Sequence, residues 1–120
     1  MNRYIILLGA SLSLSMALTG CLAGKPQALT GPSEQELMIH YGCPTCHVIP
    51  GVPGAVGKVG PSLKSLAQRS YLAGTLPNTP ENLHTWLLHP QSVHPGTAMP
   101  DMHLTPGEAQ RIALYLEASK

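Results

Sequence analysis

The stretch Cys43-Pro44-Thr45-Cys46-His47 sets two thiols and an imidazole side by side. The spacing C-x-x-C-H is that of c-type haem attachment. Two thiols so spaced on a helix end can add across the two vinyl groups of one porphyrin. The next residue, His47, then offers its imidazole to iron from the same side. Paired cysteines also serve other chemistries. Zinc takes four ligands, usually with a second cysteine pair or spaced histidines, but the remaining cysteine here is Cys21, at the end of an apolar leader. A thiol–disulfide oxidoreductase carries C-x-x-C within a βαβ unit, a pattern this chain lacks. A disulfide between residues three apart is strained. The export-type leader and the missing partner residues favour haem.

A second chemical cluster is the stretch HPGTAMPDMH, residues 94–103, with His94, Met99, Met102 and His103 as possible metal ligands. Proline, glycine and methionine in alternation make a poor helix and a poor strand, so these side chains are expected on an irregular loop.

Charge and composition narrow the class. The 120 residues carry a formal net charge of +1, and that excess is Arg3. Beyond residue 20 cations and anions balance, which leaves no basic stripe for nucleic acid. The chain has no Phe, one Trp and four Tyr. A domain this small struggles to bury enough surface, and without large aromatics a prosthetic group would supply missing core.

Residues 1–20 read as a signal peptide: a short charged start and an apolar run too short to span a bilayer comfortably. The run ends in Leu18-Thr19-Gly20-Cys21, which resembles the lipobox of bacterial lipoproteins, with Cys21 the lipidated residue. An ordinary secretory signal or an uncleaved anchor is the alternative, and all three readings put the domain outside the cytoplasm. Residues 21–32, rich in Gly, Pro and small side chains, read as lipidated anchor and tether. Residues 33–120 form the domain.

Three helix starts carry local signals. Ser33 with Glu36 fits a capping box and opens a helix to about Gly42, with Leu37 and Tyr41 on one face. Thr79-Pro80 caps a second, through Leu83, Trp86 and Leu87, which must end before Pro90. Thr105-Pro106 with Glu108 opens the last, with Ile112, Tyr115 and Leu116 inward. A shorter helix is expected over residues 62–68. Nothing alternates at period two, so no sheet is expected, and the fold class is all-α with about four helices. The long Pro/Gly-broken loop of residues 48–60 is expected to wrap something or present a surface.

Taken in order, these residues resemble the class I, mono-haem cytochromes c over residues 33–120. The likeness rests on Cys43-Pro44-Thr45-Cys46-His47, Gly60-Pro61-Ser62-Leu63, Arg69, Tyr71, Trp86, Pro95-Gly96-Thr97-Ala98-Met99-Pro100 and the final helix with Ala113-Leu114-Tyr115-Leu116. Within the family it is to small bacterial, membrane-attached lipoprotein cytochromes and to the cytochrome c modules of terminal oxidases. The resemblance implies the small cytochrome c fold, with long loops wrapped round one haem c held covalently by Cys43 and Cys46. It implies His47 as proximal and Met99 as distal iron ligand. Pro61 would accept from the other His47 nitrogen, the kind of outer-shell contact that fixes a ligand ring. Arg69 would reach a haem propionate, with an ordinary surface arginine as the alternative. Tyr71 would pack on the propionate side. Trp86 would lie near the methionine, filling core or tuning the haem. Met102 would shield the haem, and His94 and His103 would be exposed. The family's glycine in the first helix is missing: Glu34 and Gln35 hold the corresponding positions, with Leu37 or Ile39 for the usual aromatic.

Function follows from ligation. Imidazole on one side and thioether on the other leave no open position, which suits single-electron transfer, and methionine raises the potential. The expectation is an electron carrier, not an enzyme, with no nucleic acid and no small-molecule substrate. It would be an exported lipoprotein facing the periplasm or cell exterior, passing electrons between a membrane donor complex and an oxidase or dehydrogenase. The alternatives are a haem-based small-molecule sensor and a fixed haem c subunit of an oxidase or dehydrogenase complex. With weak net charge, partners are expected to dock on the apolar loop of residues 49–56, with Lys58 and Lys64 nearby.

Overall fold

The computed structural model describes residues 31–120. The expected signal peptide, the expected lipidation site Cys21 and most of the tether lie outside the described residues.

Helix α1 (Glu34–His40) starts where its capping box is made: Ser33 accepts from the Glu36 N–H, and Glu36 accepts from the Ser33 N–H at 2.7 Å. Leu37 and Met38 are its buried residues. The sequence reading put Tyr41 on that face; it is half-buried, and Met38 is fully enclosed instead. Gly42, at φ +74°, turns the chain sharply into the one-turn helix α2 (Cys43–Cys46), a conformation that costs glycine little.

The loop after α2 folds back on the helix that launched it. Gly57 N–H donates to Pro44 O at 3.2 Å and Gly60 N–H to Cys46 O at 2.8 Å. Ile49, Val52 and Ala55 point into the core and are buried. The helix expected over residues 62–68 contracts to one 3₁₀ turn, Leu66–Gln68, because Ser65 takes a left-handed backbone at φ 51°.

Strands β1 (Tyr71–Leu72) and β2 (Leu76–Pro77) pair antiparallel. This short ladder corrects the expectation of no sheet. It is closed by Ala73 and Gly74, both at positive φ (47° and 84°), and by Thr75 N–H donating to Leu72 O at 3.1 Å. Two successive residues at positive φ are what a tight hairpin turn requires.

Thr79 caps α3 (Pro80–Leu88), accepting from Asn82 N–H at 3.2 Å. Pro90 then opens the single turn α4 (Pro90–Val93), so the chain re-nucleates where the helix had to stop. Thr105 and Glu108 complete a second capping box on α5 (Pro106–Ala118).

Helix α5 is the hub, packing against α1 and α3. Its buried Ala109, Ile112, Ala113 and Leu116 join Leu37, Met38, Leu83 and Leu87 in one core. The small residues Ala109 and Ala113 of α5 are fully buried. Polar contacts flank that crossing: Arg111 Nε to Glu34 Oε1 at 3.0 Å, Gln35 Nε2 to Tyr115 Oη at 3.1 Å and Tyr41 Oη to Glu108 Oε2 at 3.0 Å. Tyr115 Oη also donates to Pro50 O at 2.7 Å, tying the loop to α5. Among the described residues, no helix is long and apolar enough to cross a membrane.

Candidate functional site

One cavity of about 700 Å³ opens between α2, the 3₁₀ turn, α3, α5 and the loop of residues 97–102. Its wall includes Cys43, Cys46, His47, Pro61, Arg69, Tyr71, Trp86 and Met99, so the residues singled out from sequence converge on a single space. The apolar lining comes from Met38, Leu63, Leu66, Leu72, Leu83, Leu87, Ile112 and Leu116. A volume of hundreds of cubic ångströms with a mainly apolar wall and few polar groups has the proportions of a cofactor site.

Each wall residue is positioned by a local device. The α2 turn presents Cys43 and Cys46, both half-buried and not bonded to each other. Burial pushes the Cys43 thiol up, which keeps it neutral. His47 follows the turn in extended backbone, and its Nδ1 lies 2.7 Å from Pro61 O. With Nδ1 donating to that carbonyl, the ring carries its proton there and Nε2 is left as the free basic nitrogen. Gly60 makes room: a Cβ there would lie 2.2 Å from His47 Cε1. Only glycine permits this close approach of ring to backbone.

Arg69 borders the cavity, and its guanidinium donates to the backbone oxygen of Ser62 and, at 3.4 Å, to that of Lys64. It ties down the segment following Pro61. Tyr71 is 58% exposed at the mouth, whereas Trp86 is half-buried against the core. Met99 and Met102 both line the cavity, while His94 and His103 are exposed. His103 adopts φ 54°, and its N–H donates to Asp101 Oδ1 at 3.1 Å.

A c-type haem fits this wall on its donor set. There are two free thiols beside an oriented imidazole, two thioether sulfurs from the far loop, and an apolar enclosure between them. Among the described residues no group of three or more His, Cys, Asp or Glu side chains is assembled to hold a metal ion. The site thus differs from a centre built of those ligands alone.

The docking expectation for residues 49–56 changes. Ile49, Val52 and Ala55 serve the core, and the exposed apolar side chains are Val56 (74%) and Val59 (72%), the latter also on the cavity wall. Met38 and Gly60 also line the cavity, with no sequence signal that marks them as site residues by their chemistry. In the sequence Gly60 is part of a motif beside Pro61; its role as space for the His47 ring exists only in the fold.

Comparison with known proteins gives two relatives of the same description. The chain is similar to cytochrome c oxidase subunit 2 of Bacillus sp. (strain PS3), 31% identical over 102 residues, covering 80% of this chain and 29% of that protein. It is also similar to cytochrome c oxidase subunit 2 of Alkalihalophilus pseudofirmus, 32% identical over 97 residues, covering 80% of this chain and 28% of that protein. The chain thus spans less than a third of the length of either curated relative. No family model matches it, and no solved structure does. These relatives overturn the expectation that the chain is not an enzyme, because both are named as a subunit of an oxidase.

Proposed function

We propose that this chain is the haem c-carrying electron-transfer part of an oxidase, a fixed subunit in place of a free shuttle. The observation that carries the haem reading is the convergence of Cys43, Cys46, His47 and Met99 on one largely apolar cavity. The similarity to oxidase subunits supports the fixed-subunit form over the shuttle and over a sensor.

Cys43 and Cys46 would hold the haem edge as thioethers, His47 would be the proximal ligand and Met99 the distal one. Bound there, haem c supplies one reversible electron at iron. The chain's own part is positional. Pro61 O would accept a hydrogen bond from Nδ1–H of His47, which leaves Nε2 as the nitrogen free to bind a ligand. The apolar wall excludes water, and Met99, as a thioether ligand, would raise the reduction potential of the group held there. Arg69 borders the cavity with a fixed positive charge suited to a carboxylate. The electron donor would dock on exposed apolar side chains, Val59 on the cavity wall and Val56 nearby in sequence. The setting is the outer face of a membrane, with Cys21 as lipid anchor.

The test is export of the full chain in cells that attach haem to C-x-x-C-H, followed by denaturing electrophoresis. Haem that stays with the polypeptide, and is lost in the Cys43→Ala/Cys46→Ala double variant, supports the reading. Co-migration with oxidase activity through native size exclusion of solubilised membranes supports the fixed subunit; a free haem-bearing monomer contradicts it.

A further inference from the structure

The loop that carries Met99 has little regular structure to hold it. Among the described residues, its one backbone-to-backbone hydrogen bond over residues 95–99 is Thr97 N–H to His94 O at 3.1 Å. Met99 N–H reaches Thr97 Oγ1 only at 3.4 Å. The rest of the polar contact comes from one side chain outside the loop. Gln91 Nε2 donates to Thr97 O at 2.9 Å and to Met99 O at 2.8 Å, and Gln91 Oε1 accepts from Gly96 N–H at 3.3 Å. Two carbonyls facing one end of the carboxamide and an N–H facing the other settle which atom is nitrogen.

The base of this side chain is rigid. Gln91 follows Pro90, one of the most completely buried residues in the chain, within the single turn α4. The amide is itself exposed, so it adds nothing to the core. Its geometry serves the loop.

We propose that Gln91 is the positioning residue of the Met99 loop: its carboxamide fixes the backbone from Gly96 to Met99 and so sets where the Met99 sulfur stands in the cavity. The backbone part stands on the hydrogen bonds alone; the consequence for iron ligation rests on the haem reading above.

Variants separate the two ends of the amide. Gln91→Glu keeps an acceptor for Gly96 N–H but turns lone pairs toward the carbonyls of Thr97 and Met99. Gln91→Lys keeps donors for those carbonyls and has no acceptor, and Gln91→Ala removes both. Amide exchange on the full chain as exported is expected to accelerate at Gly96 on the order of tenfold in Gln91→Ala and Gln91→Lys but not in Gln91→Glu. The Ala109 amide in α5 should be unchanged in all three. In the haem-loaded protein, the sulfur-to-iron absorbance band should be lost at progressively lower temperature in the order wild type, Gln91→Lys, then Gln91→Ala and Gln91→Glu. Unchanged Gly96 exchange in Gln91→Ala overturns the proposal. So does a band equally heat-stable in Gln91→Glu and wild type. If the wild-type protein has no such band, the haem–methionine reading falls, and Gly96 exchange still decides the clamp.

Discussion

The Nδ1 atom of His47 lies 2.7 Å from the carbonyl oxygen of Pro61, and the preceding residue, Gly60, has no side chain to keep the ring from lying against the backbone. Sequence neighbours of Pro61 are therefore part of the imidazole's mounting. Gly60→Ala would drive a methyl into the ring at 2.2 Å from Cε1. The expected cost is about 1–3 kcal/mol, the usual range for overpacking. Denaturant unfolding measures it, and covalent haem yield should fall with it. A wild-type midpoint and yield would show that the ring moves aside freely.

Arg69 gives a second test. Its guanidinium holds the backbone oxygens of Ser62 and Lys64, just beyond Pro61. Arg69→Ala is expected to destabilise the chain by about 1–2 kcal/mol, since charged hydrogen bonds to carbonyls are lost at a half-exposed site. Arg69→Lys should restore little of it, because an ammonium lacks the planar fork. Thermal unfolding of the two variants checks both statements.

Acid stability follows from the helix caps. Hydrogen bonds from the Thr105 hydroxyl and N–H, then from Tyr41, hold Glu108 below its ordinary value. Backbone hydrogen bonding first, and Arg111 second, do the same for Glu34, and Ser33 does so for Glu36. A carboxylate lowered in the folded state stabilises it above the unfolded pKa, about 4.3, and that contribution is lost as pH falls through the folded value. The melting temperature is therefore expected to be flat from neutral pH down to about 5 and to fall below it. Glu108→Gln, which keeps an acceptor for the cap, should make the fall shallower.

Docking through Val56 and Val59 predicts weak salt dependence, because an apolar rim on a chain of near-zero net charge gives little steering. The rate of reduction by a protein electron donor should change by less than about threefold between low and physiological ionic strength. A steep fall with salt would assign docking to charged residues such as Lys58 and Lys64.

What the sequence made legible was local. The capping boxes of Ser33 with Glu36 and Thr105 with Glu108 are written in residues three apart, and both form as read. The residues quoted for the site converge because two short motifs and a loop face one another across α5. The misses share a cause, namely backbone at positive φ or burial outside a regular period. Ser65 breaks the helix expected over residues 62–68, and Ala73 closes a hairpin without a typical turn residue there. Ile49, Val52 and Ala55 sit among prolines and glycines and look like surface, yet the folded-back loop buries them. Gln91 carries no signature at all, since its role exists only once α4 stands over the methionine loop.

The most direct test is the absorbance of the exported, haem-loaded chain, oxidised and reduced, with Met99→Ala and Met102→Ala beside it. Wild type and Met102→Ala should share a far-red sulfur-to-iron band and bind no carbon monoxide. Met99→Ala should lose the band and, once reduced, bind carbon monoxide. A band that survives Met99→Ala, or a chain that leaves the cell without covalent haem, would contradict the account.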